Sequence, residues 1–94
     1  MECMKTAKQL ERHFKGPANH TRIEILLLVS KEPGVTLEEI AEKLKRNMKT
    51  VSEHARRLVQ AGLLNKAYEG KFVGHELSPY GKQFVEFIKS FSHS

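Results

Sequence analysis

The sequence contains a single cysteine, Cys3, and no tryptophan or aspartate among its 94 residues. One cysteine excludes an intrachain disulfide, so the stability of this short chain must come from its core or from a partner. The longest apolar run, residues 25–29, is far shorter than the roughly 20 residues that a membrane-spanning helix needs. Because the start also lacks the apolar segment of a signal peptide, we expect a cytoplasmic protein without a membrane partner.

Residue patterns that indicate catalysis are equally scarce. The chain has no glycine-rich phosphate loop, and its adjacent acids Glu38 and Glu39 are explained by helix capping and the helix dipole. No histidine lies three or four residues from another, and the five are His13, His20, His54, His75 and His93. A metal site shared across a dimer stays open as an alternative. We predict that the chain is not an enzyme and holds no cofactor or resident metal. We expect Cys3 to serve as a small apolar residue.

Positive charge is abundant and unevenly placed. The net charge is +5, from 16 basic and 11 acidic residues. Residues 45–71 contain seven basic and two acidic residues, while the rest of the chain holds nine of each. The whole excess therefore falls in less than a third of the sequence. Such a local excess indicates a surface for phosphate, although a solvated face is the alternative.

Apolar residues at helical spacing predict the first two helices. One stripe in residues 1–16 consists of Cys3, Ala7, Leu10 and Phe14. The Gly-Pro pair at 16–17 ends this helix. The second helix, at residues 19–30, is apolar nearly all round, which is typical of a helix at the centre of a core.

A helix-turn-helix is predicted at residues 36–61. Thr36 and Glu39 have the spacing of a capping box, and Leu37, Ile40, Ala41 and Leu44 follow at helical spacing. Lys45 and Arg46 form a polar turn, and Asn47 suits the start of the next helix. The inward stripe of that second helix is Val51, Ala55, Leu58 and Val59. A short helix, a tight turn and a basic amphipathic helix are typical of a major-groove reader.

The period then changes from helical to alternating. Residues 64–68 and 71–77 flank Glu69-Gly70, which predicts a β-hairpin, or wing, within residues 63–77. Ser78 and Pro79 predict the start of a last helix over residues 78–92. We therefore predict one domain, residues 1–94, mainly α with a small β-hairpin, in a winged helix-turn-helix arrangement.

Three segments resemble the ArsR-type winged-helix regulators: residues 19–26, residues 36–41 and residues 50–64. The Leu-Ser-Pro-Tyr-Gly segment at 77–81 is similar to the Leu-Thr-x-x-Gly start of the helix after the wing in ArsR- and MarR-type proteins. The resemblance covers roughly residues 18–85 and implies a DNA-binding transcriptional regulator. Lys45 and Arg46 occupy turn positions where the family carries Gly and an aliphatic residue. Residues 35–61 contain no cysteine, so the metal-sensing Cys-x-Cys motif of some members is absent.

The predicted partner is double-stranded DNA. Early residues of a recognition helix reach base edges, while flanking cations contact phosphate. We assign Lys49 and Ser52 to bases, and Arg46 and Arg56 to phosphate. The full set of predicted DNA-binding residues is Arg46, Asn47, Lys49, Thr50, Ser52, Glu53, Arg56, Lys66 and Lys71.

Several of these residues have alternative interpretations. Thr50 suits either base or phosphate, and Asn47 is favoured as a helix cap over a base reader. Glu53 could accept from a cytosine amino group, pair with an arginine of its own helix or disfavour a wrong sequence, and pairing is favoured. Lys66 and Lys71 flank the wing tip, where ordinary surface charge is the alternative to a backbone or minor-groove contact.

Surplus apolar side chains on the terminal helices favour a homodimer. The predicted interface comprises Leu10, Phe14, Phe84, Phe87, Ile88 and Phe91. A winged helix that binds another protein, without sequence-specific DNA binding, is the alternative function. No residue cluster identifies an effector ligand.

Overall fold

The computed structural model of the chain describes residues 6–15 and 19–92. Its elements, in chain order, are α1 (Ala7–Lys15), α2 (His20–Lys31), β1 (Val35–Thr36), α3 (Leu37–Leu44), α4 (Met48–Gln60), β2 (Leu64–Glu69), β3 (Phe72–Leu77) and α5 (Pro79–Ser92). The predicted winged helix-turn-helix is confirmed: α3 and α4 form the helix-turn-helix, and β2 and β3 form the wing.

α2 lies at the centre of the core, as its apolar sequence predicts. The fully buried side chains of this helix are Ile25, Leu26 and Val29. They pack with Ile40 of α3, with the inward stripe of α4, and with Val85 of α5. Burial of each such side chain stabilises the fold by about 1.5–3 kcal/mol. This shared core fixes how α4 is presented to solvent.

Side-chain caps mark the starts of α2, α3 and α4. The Asn19 side chain accepts from two backbone amides at the start of α2. The predicted capping box of α3 is present: Thr36 Oγ1 accepts from the Glu39 amide at 3.2 Å, and the Glu39 carboxylate accepts from the Thr36 amide at 2.9 Å. Asn47 Oδ1 accepts from the Lys49 amide at 2.7 Å and caps α4. These local bonds satisfy amides that a helix start otherwise leaves unpaired.

The turn between α3 and α4 uses a left-handed residue. Lys45 has φ 55° and ψ 48°, and is the only non-glycine residue of the described chain with positive φ. The Arg46 amide then donates to the Ala41 carbonyl at 3.0 Å and closes the end of α3. A side chain in this conformation costs free energy that glycine would avoid. The left-handed conformation explains why glycine suits this turn position in the resembling family.

The sheet has one more strand than the predicted hairpin. β1 pairs antiparallel with β3, which gives the strand order β1-β3-β2. Val35 lies opposite His75, and Thr36 lies opposite Gly74. A Cβ atom on Gly74 would collide with the carbonyl oxygen of Gly34. β1 therefore reaches the wing only because this strand position has no side chain.

Ser78 fastens the end of the wing to the start of α5. Its hydroxyl donates to the Gly62 carbonyl at 2.6 Å and accepts from the Gly81 amide at 3.0 Å. Gly62 has the positive φ, 80°, expected of a residue that ends a helix. Gly81 lies so close to the Leu63 carbonyl that a Cβ atom would overlap it. The predicted N-cap is confirmed, and it also ties α5 to the loop after α4.

Candidate nucleic-acid interface

α4 has one buried face and one polar, exposed face. Val51, Ala55 and Leu58 are buried in the core, as predicted. The opposite face exposes Lys49, Thr50, Ser52, Glu53 and Arg56. Asn47 is also exposed, but its side-chain oxygen already accepts the two amides of the cap. The cap interpretation of Asn47 is therefore confirmed, and its base-reading role remains a prediction.

Glu53 holds two arginines on the exposed face of α4. Its Oε2 accepts from Arg56 Nη2 at 2.7 Å and from Arg57 Nε at 2.9 Å, while Oε1 accepts from Arg56 Nε at 3.3 Å. The pairing favoured from the sequence is thus present. Hydrogen bonds from Arg56 and then Arg57 lower the pKa of the Glu53 carboxyl, so it stays ionised at neutral pH.

Arg46 connects the turn to α2. Its Nη2 donates to Glu24 Oε1 at 2.9 Å. The Arg46 Nε is buried and has no hydrogen-bond partner. The side chain is about one-third exposed. This geometry assigns Arg46 a structural contact, and its predicted contact with phosphate remains untested.

His54, in the middle of α4, makes a second contact with α2. Arg22 Nε donates to His54 Nδ1 at 3.0 Å. The accepting nitrogen must be unprotonated, so the ring is neutral in this contact. Burial lowers the pKa of His54, and the neighbouring Arg22 charge lowers it further. The His54 side chain is half-buried between the two helices.

The wing carries exposed cations beside a cleft. Lys66 and Lys71 line an open cavity of about 330 Å³, together with Glu38 at the start of α3 and Phe72 of β3. His75 is buried at the base of this cleft, with Nδ1 3.4 Å from the Val35 carbonyl oxygen. Burial lowers the pKa of His75, which keeps it neutral beside the lysines.

The seven cations of residues 45–71 divide by residue type. All three arginines are in ion pairs: Arg46 with Glu24, and Arg56 and Arg57 with Glu53. The other four cations are lysines, and none of them forms an ion pair with a residue that the structure describes. They are Lys45, Lys49, Lys66 and Lys71. The lysines are therefore the cations most readily available to an anionic partner.

Aromatic side chains cluster on the terminal helices. Phe14 of α1 meets Phe84 of α5 edge to face, with ring centroids 5.4 Å apart. The ring centroids of Phe87 and Phe91 of α5 are 4.9 Å apart, and the two residues are 52% and 72% exposed. Phe84 packs against the core of its own chain, and Ile88 is half-buried.

The side chain of Leu10, together with Cys3 and His93, lies outside the described residues, so the predictions for them stay untested.

Residues 6–15 and 19–92 contain neither a membrane-spanning helix nor a cluster of metal-binding side chains among those that the structure describes. No helix there is long and apolar enough to cross a membrane. No three of the described histidine, cysteine or acidic side chains are grouped as a metal site would require.

Comparison with protein families decides the affiliation. The family described as "Bacterial regulatory protein, arsR family" matches residues 19–66, which run from the cap of α2 into β2. The chain belongs to the arsR family. Its members are transcriptional regulators with a winged-helix DNA-binding fold, and that is the fold of this chain.

A curated relative of this arsR-family chain is the arsenic resistance transcriptional regulator ArsR1 of Pseudomonas putida. The two are 30% identical over 73 residues, which make up 78% of this chain and 57% of the relative. The chain thus spans a little over half the length of that relative.

Solved structures share the fold at lower identity. HlyU from Vibrio cholerae N16961 superposes with a TM-score of 0.83 at 22% identity, over 98% of this chain and 100% of that one. The homodimeric winged helix-turn-helix domain Mb0332 from Mycobacterium bovis, described as a possible ArsR-family regulator, gives a TM-score of 0.82 at 22% identity. That match covers 99% of this chain and 91% of the other. The resemblance at 77–81 is therefore part of a fold that extends through the whole described chain.

Sequence reasoning did not identify the two contacts that connect this arsR-family helix-turn-helix to α2. Arg22 and His54 are 32 positions apart, and Glu24 and Arg46 are 22 positions apart. No local pattern reports a pair so distant. The exposed aromatic side chains of the wing, Tyr68 and Phe72, were likewise not identified from the sequence.

Proposed function

We propose that this arsR-family chain is a sequence-specific regulator that binds double-stranded DNA. The observation that carries the proposal is the exposed polar face of α4, which a fully buried apolar face holds outward from the core. An α-helix fits the major groove of B-DNA, where each base pair presents a distinct pattern of donors and acceptors. The unpaired lysines of the turn and wing then provide charge for the flanking backbone.

Individual roles follow from position along α4. Lys49 and Ser52 belong to its first turns and are exposed, so they reach base edges when the helix N-terminus enters the groove. Thr50 is exposed between them and reaches a base or a phosphate. Lys66 and Lys71 of the wing contact backbone or minor groove, and Arg56 contacts phosphate. Base contacts select the sequence, while phosphate contacts position the protein on it.

We further propose a homodimer formed through α1 and α5. Phe87 and Phe91 present more exposed aromatic surface than a monomer of this size needs. The similar protein Mb0332 is described as homodimeric, which supports this arrangement. Two α4 helices related by a two-fold axis would read half-sites about 10 base pairs apart.

A pair of lysine variants tests the assignment to base and phosphate. The DNA site is first obtained by in vitro selection with the unaltered protein. Lys49→Ala is expected to lower affinity for the selected site about tenfold or more, and to affect random duplex less, because a base contact is sequence-dependent. Lys71→Ala is expected to weaken binding to both DNAs alike. Equal losses for both variants on both DNAs would contradict the assignment.

A charge placed on α5 tests the dimer. Phe87→Glu is expected to yield monomers in sedimentation equilibrium, because it buries a carboxylate in the apolar seam. Phe72→Glu is the matched control, since Phe72 is similarly exposed, at 64%, but lies on the wing. An unchanged mass for the Phe87 variant would place the seam elsewhere.

The alternative function, a protein-binding winged helix, has a direct discriminator. Tyr68 and Phe72 on the wing are exposed aromatics of the kind that dock partners. Retention on heparin or duplex DNA at low salt supports the DNA-binding proposal, and loss of retention at high salt confirms its electrostatic part. No retention at low salt would favour the alternative.

A further inference from the structure

The carboxylate of Glu53 stands in the middle of the proposed DNA-binding face. It is the only acidic residue of α4, and it accepts all three hydrogen bonds that the structure gives to Arg56 and Arg57 within that helix face. Glu53 precedes the arginines by three and four residues, which is the favourable order for such pairs in a helix. A guanidinium held in this way presents less of its charge and fewer of its donors to a phosphate.

We infer that Glu53 is a positioning residue that restrains Arg56 and Arg57 in the unbound protein and thereby weakens binding to DNA of random sequence. The inference rests on the proposed DNA-binding function and adds a specificity device to it. Glu53 lowers the affinity for unmatched DNA, because Arg56 and Arg57 contact phosphate only when α4 is seated in the major groove of a matched site.

The exposure of the pairs makes this restraint reversible. The Glu53, Arg56 and Arg57 side chains are all about half exposed. Exposed ion pairs are weak, so a well-placed phosphate can replace Glu53 as the arginine's partner. A buried pair could not exchange in this way without a large desolvation cost.

The two kinds of DNA differ in what they offer the arginines. On a matched site, the base contacts of Lys49 and Ser52 hold α4 deep in the groove, which brings phosphates within reach of Arg56 and Arg57. On random DNA, binding is almost wholly electrostatic and α4 has no fixed depth. The arginines then remain with Glu53, and the acid itself repels the backbone.

Glu53→Gln tests the restraint, because it removes the charge and keeps the side-chain size. We expect affinity for a random duplex to rise about 5- to 10-fold, and affinity for the selected site to rise less than about 3-fold. The salt dependence on random duplex should steepen by about 0.9 for each arginine released. Both are measured by fluorescence anisotropy across a salt series. The matched control is Glu86→Gln, which makes the same change in net charge at an exposed position on α5.

A second set of variants distinguishes the release of the two arginines from the simple loss of one negative charge. Glu53→Gln is repeated in a protein that already carries Arg56→Ala and Arg57→Ala, where the inference predicts that most of the gain on random duplex disappears. A gain that persists there, or no gain in the original background, would overturn the inference. Loss of affinity confined to the selected site would identify Glu53 as a base reader and also overturn it. If the unaltered protein fails to bind any duplex at low salt, the proposed function itself falls.

Discussion

Replacing Ser78 by alanine removes a hydroxyl that makes two bonds at the junction of the wing and α5. The residue is buried, and its Oγ donates to the Gly62 carbonyl and accepts from the Gly81 amide. Alanine fits the space but leaves both backbone groups without this partner. We therefore expect Ser78→Ala to destabilise the fold and leave its architecture unchanged.

The size of the expected loss in the free energy of unfolding follows from these two hydrogen bonds. Loss of an N-cap hydroxyl costs about 1 kcal/mol, with a range of roughly 0.5–2 kcal/mol. The partly buried Gly62 carbonyl, left without its donor, costs about 1 kcal/mol, the lower end of the range for a buried group. Together they give a loss of about 2–3 kcal/mol in the free energy of unfolding, or a decrease in Tm of roughly 10–20 °C for a chain of this length.

Urea unfolding followed by circular dichroism measures this loss. All samples must share one protein concentration, because the stability of a dimer depends on it. The matched control is Ser52→Ala on the exposed face of α4, which is expected to change the free energy of unfolding by less than about 0.5 kcal/mol. A loss below about 0.5 kcal/mol for Ser78→Ala would refute the reasoning that this hydroxyl holds the junction together.

Three other substitutions or conditions test further parts of the structure. Lys45→Gly is expected to raise the free energy of unfolding by about 0.5–1 kcal/mol in urea titrations, because glycine adopts the left-handed conformation without strain; a decrease would contradict the turn geometry. Gly74→Ala is expected to disrupt the pairing of β1 with β3, since its Cβ would meet the Gly34 carbonyl, and unchanged amide hydrogen exchange at 35–36 would speak against this. The pKa values of His54 and His75 are lowered from 6.5 in the folded chain, so the unfolded chain binds more protons as the pH falls below 6.5. The free energy of unfolding should therefore decrease on acidification below pH 6.5, and a flat or rising profile from pH 7.5 to 5.5 would contradict the burial of these rings.

Local signals predicted most of the elements that present the candidate site. Thr36 with Glu39, Asn47, Gly62 and Ser78 each mark a helix end through bonds to neighbours within three residues or through a single backbone angle. Such features depend on nearby sequence alone, so they can be identified without the fold. The apolar stripe of α4 likewise identifies its outward face by subtraction.

Contacts between distant segments could not be predicted in the same way. β1 has only two residues, too few for an alternating pattern, and it pairs with residues some 40 positions later. The pairing of Arg46 with Glu24 likewise depends on how α3 and α4 dock against α2. Charge counting located the basic segment but could not show that its arginines are paired while its lysines are not, because that division is a property of the folded surface.

The salt dependence of binding to the selected DNA site tests the central claim most directly. Arg46, Arg56, Lys66 and Lys71 are the predicted phosphate contacts of each protomer. A dimer that uses three or four of them per protomer predicts that log K falls linearly with log salt, with a slope of about −5 to −7. Random duplex should bind more weakly at every salt concentration. A slope near zero, or equal affinity for selected and random duplex, would contradict the account.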